Sequence, residues 1–413
     1  MSISPRHVSR FSHEFQLACA CCRVSPSEAD RREVKRLLAL VDVPTFVDLT
    51  VERHRIGSIV YAALGRLPPQ DLPPGLMGPL LEESRQNAVK ALRAQRTHVL
   101  LARWFAAAAI DWLPFKGMTT ALRYYHDAST RQVNDLDIWV SAGSRSLAQA
   151  TLRDHGFRVL DTNICSDLAA RGTRHSEYLS NYYHEEQYYS PEFGLLELHW
   201  RLADNPFQFQ LAPESILADG DTIEIGGTGV RVMNDIDLLL YLCEHGGRHG
   251  WSRMKWLADL PQVLSVRVWD WPKVLSRARQ AGCYQSLIFG LALSQDLLGW
   301  CPPPQVREAI ASSFRLRIAR RLVGQTWDGP AAAKSLPFAK VVQLVLKELA
   351  LKVLLTNTLR AALHQIRRYL LSPNDLRVMR IPDRWFGLYY LMRPFTFLVS
   401  RVKMAWNFGA PLR

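Results

Sequence analysis

Two periodicities divide the chain. Between residues 110 and 205, short runs alternate apolar and polar positions with the period of two expected of strands. They predict strands near 113–116, 134–140, 157–160, 185–190 and 194–200. Helical runs near 118–126 and 144–155 lie among them, and Gly156 is placed to cap the second. Elsewhere apolar residues recur every three or four positions, the spacing of one helix face. That pattern predicts helices over 31–41, 51–66 and 80–109 ahead of the strands, and over 236–245, 252–266, 271–281 and 285–298 behind them. Two more are expected over 340–355 and 358–371. Gly226-Gly227 reads as the turn of a hairpin over 222–232, and Asn234 or Asp235 as the N-cap of the helix that follows. Prolines 68, 69, 73 and 74 break the first helical part, and Pro302-Pro303-Pro304 sets off the last. The expected architecture is α+β: an N-terminal helical region (1–95), a core with a small mixed sheet (96–205), a helical region completing a cleft (206–300) and an amphipathic helical C-terminal region (301–413).

The strand at 134–140 carries the most chemistry. In Asn134-Asp135-Leu136-Asp137-Ile138-Trp139-Val140, alternation sends Asp135 and Asp137 to one face while Leu136, Ile138 and Val140 enter a core on the other. Two neighbouring carboxylates repel unless a positive group lies between them, and a hard divalent cation is one answer; two solvated surface aspartates are the plain alternative. Upstream, Leu113-Pro114-Phe115-Lys116-Gly117-Met118 is a strand-to-helix turn whose glycine lets backbone approach an anion at the helix start. Downstream, Phe193 to Trp200 reads as a strand with Glu197 and His199 on one face. The segment from Ser190 to Gly194 is the hairpin turn that returns Glu197 beside the Asp135 strand.

The order Lys116-Gly117, then Arg131-x-x-x-Asp135-Leu136-Asp137, then Glu197-Leu198-His199-Trp200 resembles the uncharacterised bacterial nucleotidyltransferase-like family of the DNA polymerase β-type nucleotidyltransferase superfamily. Asp237-Leu238-Leu239-Leu240, His245-x-x-x-His249-x-Trp251 and Trp256-Leu257-x-Asp259-Leu260 agree with it, and the likeness covers most of residues 10–300. It implies a polymerase-β-like sheet and a cytoplasmic, Mg²⁺-dependent enzyme that moves a nucleoside monophosphate from a triphosphate such as ATP to a hydroxyl acceptor, releasing pyrophosphate. The acceptor would be a small molecule, a peptide or a polysaccharide-related compound. Asp135, Asp137 and Glu197 would hold two Mg²⁺ ions, with Mn²⁺ as a substitute, and Glu197 would serve as base. Lys116, Gly117, Met118, Arg131, His199, His245 and His249 would contact the nucleotide. The superfamily usually has Gly-Ser or Gly-Gly where this chain has Gly117-Met118, and here sixteen residues separate Met118 from Asp135. Two other readings stay open: a toxin-type enzyme modifying RNA or protein, and a non-catalytic nucleotide-binding scaffold.

Several groups carry a structural reading beside the functional one. Lys116 is a phosphate ligand or a surface lysine at a strand end. Arg131 is a phosphoryl contact or an ion-pair partner of Asp135 or Asp127. His199 is a second layer of the site, a stacking group or a hydrogen-bonded core residue. His245 and His249 have the spacing of a metal pair, but Glu244 precedes rather than follows the first, so a cleft-lining role fits better. Lys255 and Asp259 have the spacing of a helical ion pair. Trp251, Trp256, Trp269, Trp271, Tyr182 and Tyr183 are stacking platforms for a base or ordinary core.

Charge changes the picture at one end only. Residues 301–413 hold 19 Lys and Arg against 5 Asp and Glu, a net of +14, while the first 300 residues net −1. Between Arg360 and Arg380 the arginines interleave with leucines, which suits an anionic membrane surface, a polyanion, or simple amphipathic packing. Seven scattered cysteines include Cys19, Cys21 and Cys22 but no second cluster at zinc spacing, so reduced thiols in the cytoplasm are expected. The N-terminus reads as lacking a secretory signal and no uncharged run reaches a spanning length, so peripheral contact with the inner membrane face is the most that is expected of a membrane.

Overall fold

The computed structural model describes residues 8–160, 167–323, 327, 338–393, 395 and 396. Helices α1 (His13–Cys21), α2 (Glu28–Leu38), α3 (Val43–Asp48), α4 (Gly57–Leu64) and the long α5 (Met77–Ala107) lead into the sheet. Then come β1 (Trp112–Pro114), α6 (Met118–Tyr124), β2 (Asp135–Val140), α7 (Arg145–Asp154), β3 (Arg158–Val159), α8 (Thr173–Tyr182), β4 (Glu185–Ser190) and β5 (Gly194–His199). After α9 (Pro213–Ala218) and the hairpin β6 (Asp221–Ile225) and β7 (Thr228–Val232), the rest is helical. It comprises α10 (Asp235–Arg248), α11 (Met254–Ser265), α12 (Trp271–Gln280), α13 (Tyr284–Leu298), α14 (Pro304–Ser312), α15 (Phe314–Leu322), α16 (Phe338–Leu354), α17 (Leu359–Leu370) and α18 (Pro373–Val378). The protein is therefore α+β, with a small mixed sheet among helices.

The five strands run in the order β1-β2-β5-β4-β3. Only β2 and β5 are parallel; every other pair in the sheet is antiparallel. The register places Asp137 opposite Glu197 and Trp139 opposite His199, then Glu197 opposite Gln187 and His199 opposite Glu185. Because residues opposite each other share a face, Asp137, Glu197, Gln187, His199 and Glu185 line up on one side, and Asp135, two residues before Asp137, joins them. The other side is apolar: Leu136, Ile138, Val140, Tyr188, Leu196 and Leu198 are buried with Ala94, Leu101 and Phe105 of α5 and Leu152 of α7. Each such aliphatic side chain contributes roughly 1.5–3 kcal/mol by leaving water, and a one-residue slip would turn all of them outward. The core thus fixes the register that assembles the polar face.

The polar face looks toward a second apolar core. Here Leu113, Phe115 and Trp139 meet residues of α1–α4 and of α10–α13. Phe115 packs edge-on to both His199 (4.9 Å between centroids) and Tyr241 (5.1 Å). Buried Asn87 of α5 donates to the Arg131 carbonyl (2.9 Å) and accepts from the Val133 amide (2.9 Å), which pins the segment entering β2. His54 ties three distant segments together. Its Nδ1 accepts from the Met254 amide (3.1 Å), and its Nε2 lies 3.0 Å from the Trp327 carbonyl. Gly246, a weak helix former inside α10, is explained by packing: a Cβ there would come within 2.5 Å of the Trp251 ring.

The basic end of the chain packs onto α8. Leu371, Leu376, Phe386 and Tyr389 bury Leu168 and Leu179, and Arg368 donates to the Tyr182 carbonyl (2.8 Å) with its guanidinium 4.0 Å from the Tyr182 ring. No helix among the described residues is long and apolar enough to cross a membrane. The six described cysteines are free thiols, five of them buried.

Candidate functional site

A cleft of about 410 Å³ opens over the polar face of the sheet. Asp135, Asp137, Glu185, Gln187 and Glu197 line it from below, and Arg55, His245, His249, Arg253, Lys255 and Trp256 from the helical side. The cleft therefore has an acidic floor and a basic wall.

On the floor, Lys116 is the pivot. Its Nζ lies 2.8 Å from Asp137 Oδ1 and 3.9 Å from Glu197 Oε2, and all three side chains are largely buried. Burial alone would push the ammonium down. The charge of Asp137, with lesser contributions from Tyr241, Asp135 and Glu197, outweighs this and raises it, so Lys116 stays charged. Gly117, just beyond, adopts φ +69°, ψ −118°, and its Cα faces the Asp135 carbonyl, where a Cβ would sit at 3.4 Å. Only glycine takes that backbone without strain. Met118 does not line the cleft; its side chain joins the apolar core around the sheet. The departure from Gly-Ser at this turn thus alters a core position.

His199, fully buried, links the carboxylates. Its Nε2 lies 3.2 Å from Asp137 Oδ1 and 3.7 Å from Glu197 Oε2, and its Nδ1 lies 3.3 Å from Glu185 Oε2. Burial pushes the imidazole down, but its hydrogen bonds to Asp137 and Glu197 and the charges of Glu185 and Asp137 raise it to about 9. Burial pushes the Glu197 carboxyl up. The hydrogen bond from His199 and the Lys116 charge overcome this and leave it below the usual range. Glu185 is likewise held down, against burial, by His184 and His199. Gln187 donates to Glu197 Oε1 (3.0 Å) and fixes that carboxylate.

The floor suits a divalent cation. Donor atoms of Asp137, Glu197 and His199 all lie within 4.8 Å of one another, as do those of His184, Glu185 and His199. Asp137 Oδ2 is buried with no hydrogen-bond partner among the described residues, a costly state that a ligand would relieve. Asp135 shares the face and lines the cleft but stands outside both groups.

Arg131 is committed elsewhere. It makes a bidentate pair with buried Asp259 (2.8 Å for each bond) and donates to the Gly117 carbonyl (3.1 Å), while Tyr125 Oη donates to the same carboxylate (2.8 Å). Neither Asp135 nor Asp127 is its ion-pair partner, and Asp259 does not pair with Lys255: the tertiary fork geometry of arginine wins over helical spacing. Arg131 thus holds the Gly117 turn against α11.

The same choice leaves Lys255 without an ion pair among the described residues. Arg55, Arg253 and Arg248, which also line the cleft, form none among the described residues either, whereas Lys352 pairs with Glu348. Burial lowers the Lys255 ammonium to about 8; Asp135 opposes this, and the charges of Arg131, Arg55 and Lys116 add to it. Beside them His249 stacks on Trp256 (4.7 Å, 22°) and meets His245 edge-on (4.6 Å). Burial, reinforced by Lys116 and Arg248, holds both histidines well below their ordinary range. Arg248 donates to His245 Nδ1 (2.8 Å) and contacts His184 Nε2 (3.0 Å). With Nδ1 accepting, His245 is a neutral wall residue. Of the other aromatic candidates, Trp251, Trp269 and Trp271 belong to the core.

Glu185, Gln187, Arg55 and Arg253 carry no signal in the sequence analysis, and Lys255 figures there only as a helical partner of Asp259. Glu185 and Gln187 were available in principle: they alternate in a predicted strand, and the tight turn to β5 sets their register against His199 and Glu197. Nothing local marked Arg55, which reaches the cleft from a segment eighty residues before β2.

The uncharacterised nucleotidyltransferase family matches residues 41–299. In structure, the chain is similar to an antigenic nucleotidyltransferase-like protein from Paracoccidioides brasiliensis, with 17% sequence identity and a TM-score of 0.34, over 54% of this chain and 93% of that one. No curated protein matches.

Proposed function

Since the chain belongs to the uncharacterised nucleotidyltransferase family and nucleotidyl transfer is its general activity, we propose that the cleft transfers a nucleoside monophosphate from a nucleoside triphosphate to a hydroxyl acceptor. One observation carries this reading: Asp137 and Glu197, opposite each other across the parallel pair, face a wall where Arg55, Arg253 and Lys255 form no ion pair among the described residues. A substrate that is itself polyanionic complements both halves.

Arg55, Arg253 and Lys255 take the triphosphate, and charge developing on its oxygens is stabilised where the cations already stand. The stacked His249–Trp256 pair offers a face to the base. The acceptor oxygen forms a bond to the α-phosphorus as the bond to the pyrophosphate oxygen breaks, and the hydroxyl proton passes to the Glu197 carboxylate. That carboxylate is kept ionised by His199 and Lys116 and is oriented by Gln187. Mg²⁺ or Mn²⁺, held by Asp137 and Glu197 with Asp135 nearby, would supply charge neutralisation on the phosphates and acidify the acceptor hydroxyl. Lys116 keeps the two carboxylates together and His199 holds Asp137 in place.

The test is Mg²⁺-dependent binding and pyrophosphate release with each of the four ribonucleoside triphosphates, comparing the native chain with Asp137→Asn and Glu197→Gln. Turnover in the native chain and a loss of about 10²-fold or more in both variants is expected. Binding without release in the native chain, unchanged by either substitution, would mark a nucleotide-binding scaffold instead.

A further inference from the structure

The acceptor of the transfer leaves no mark in the cleft itself, but a second cavity of about 400 Å³ lies next to it. It is built between α8, the loop after β5, and α17, and its rings come from Tyr178, Tyr182, Phe207 and Phe386. Arginines 174, 367 and 368 share its lining. Of these, only Arg368 has a carboxylate partner among the described residues: Asp204, at 3.3 Å. Arg174 and Arg367 form no ion pair among the described residues; Arg367 donates to Tyr390 Oη (2.9 Å). His364 Nε2 is buried here without a hydrogen-bond partner among the described residues.

The partition to the cleft is thin. Asp204 lines the cleft and Arg368 the second cavity, so their ion pair is the shared wall. Along the chain, Tyr182 lines one side and His184, two residues on, the other. Aromatic faces favour a planar or sugar ring, and arginines without carboxylate partners favour an anionic group, bidentate where it is a phosphate or carboxylate. An anion here competes with Asp204 for Arg368, which couples the cavity to the cleft.

We infer that the second cavity anchors the hydroxyl acceptor, and that the acceptor carries a ring and an anionic group such as a phosphate. The inference rests on the nucleotidyl-transfer reading. In the step it serves, the acceptor O–H gives its proton to the Glu197 carboxylate, its oxygen bonds the α-phosphorus, and pyrophosphate leaves with the electrons of the broken bond.

Phenyl phosphate is a suitable probe, with phenol and inorganic phosphate as its separate halves, titrated calorimetrically into the full chain. Arg174 and Arg367 are both exposed, so the double variant Arg174→Glu/Arg367→Glu keeps the fold, to be checked by its melting temperature. Phenyl phosphate should bind more tightly than either half, and the double variant should weaken it about tenfold or more. ATP affinity should change less than about twofold, since the two arginines lie outside the cleft. The variant Arg253→Gln/Lys255→Gln should show the reverse. Loss of phenyl phosphate binding in the cleft variant, with none in the Arg174/Arg367 variant, would overturn the inference by placing the probe on the triphosphate wall. Phenyl phosphate binding at the second cavity in a chain that neither binds nor cleaves any triphosphate would overturn the transfer reading, and the acceptor role with it, while leaving the anion site.

Discussion

Asp137 of β2 and Glu197 of β5 sit directly opposite each other on the only parallel pair of the sheet, with one ammonium, that of Lys116, within 4 Å of both. A parallel pair cannot be closed by a tight turn, so their meeting depends on the whole passage through β3, α8 and β4. It also means that two like charges are held buried by a third group. Removing that group is therefore more damaging than removing an ordinary surface lysine.

Lys116→Met should destabilise the protein by about 3–5 kcal/mol, the usual cost of leaving a buried charge without its partner. Adding Asp137→Asn to it should recover much of the loss, because the orphaned charge is then gone. Urea unfolding of the native chain, both single variants and the double variant gives the coupling directly. Additive effects would mean that Lys116 and Asp137 do not depend on each other.

Two arginines of the cleft should behave in opposite ways. Arg131→Gln breaks the pair with Asp259 and should cost stability, about 3–5 kcal/mol, as a buried partner lost. Arg253→Gln touches no ion pair and should leave the unfolding midpoint nearly unchanged while weakening triphosphate binding about tenfold or more, the size of one charge-assisted hydrogen bond. Lys255 adds a pH signature. Its ammonium is lowered to about 8, so it is charged below that pH and neutral above it. Triphosphate affinity should fall as pH rises past about 8, and Lys255→Arg should remove that limb because a guanidinium stays charged. The same limb persisting in the arginine variant would assign it to another group.

These residues show what was legible in the chain. The strands, the apolar stripe of β2 and the return of Glu197 beside that strand followed from alternation and turn residues, because a period of two leaves no choice of face; the parallel register that sets Asp137 opposite Glu197 was not legible, since no tight turn links β2 to β5. The long helix before the sheet also followed, within three residues at its start. Helices α1, α3 and α8 did not: they are short, and α1 is buried over most of its surface, so it shows little periodicity. The segment read as one helix over 51–66 is broken, with a π-helical turn at Leu49–Arg53 and α4 beginning at Gly57. Arg55 lies in that break with φ +55°, and no spacing rule could carry it to the cleft. Pairing rules failed where tertiary geometry offered more, as when Asp259 took the fork of Arg131 rather than the nearer Lys255.

His54 makes stability depend on pH in a definable window. Burial, only partly offset by its contact with the Trp327 carbonyl, lowers the imidazole to about 4. The unfolded chain binds its proton near the ordinary value of 6.5, so the stabilisation is complete above about 6.5 and is lost as pH falls toward about 4. Over that window it amounts to at most about 3 kcal/mol. Subtracting the acid limb of His54→Gln from that of the native chain, by urea unfolding between pH 7 and 4.5, isolates the contribution. Identical limbs would show that the proton taken up on unfolding belongs to other histidines.

The C-terminal helices present apolar side chains that the described residues do not cover. Leu359 is 76% exposed, Leu363 57% and Leu391 75%, beside the arginines of α17. Apolar side chains flanked by guanidinium groups are what an anionic bilayer surface takes up: the leucines leave water while the arginines stay at the headgroups. The full chain should therefore float with vesicles of phosphatidylserine and phosphatidylcholine but not with phosphatidylcholine alone. Leu363→Glu/Leu391→Glu should abolish the association without lowering the melting temperature, since both positions are already in water. Added salt should weaken it only in part, because the apolar component is not screened. Flotation unaffected by the leucine substitutions but abolished by salt would make the contact purely electrostatic, and the same chain should then bind RNA with a steep salt dependence. No flotation at all would leave amphipathic packing as the whole reason for the pattern.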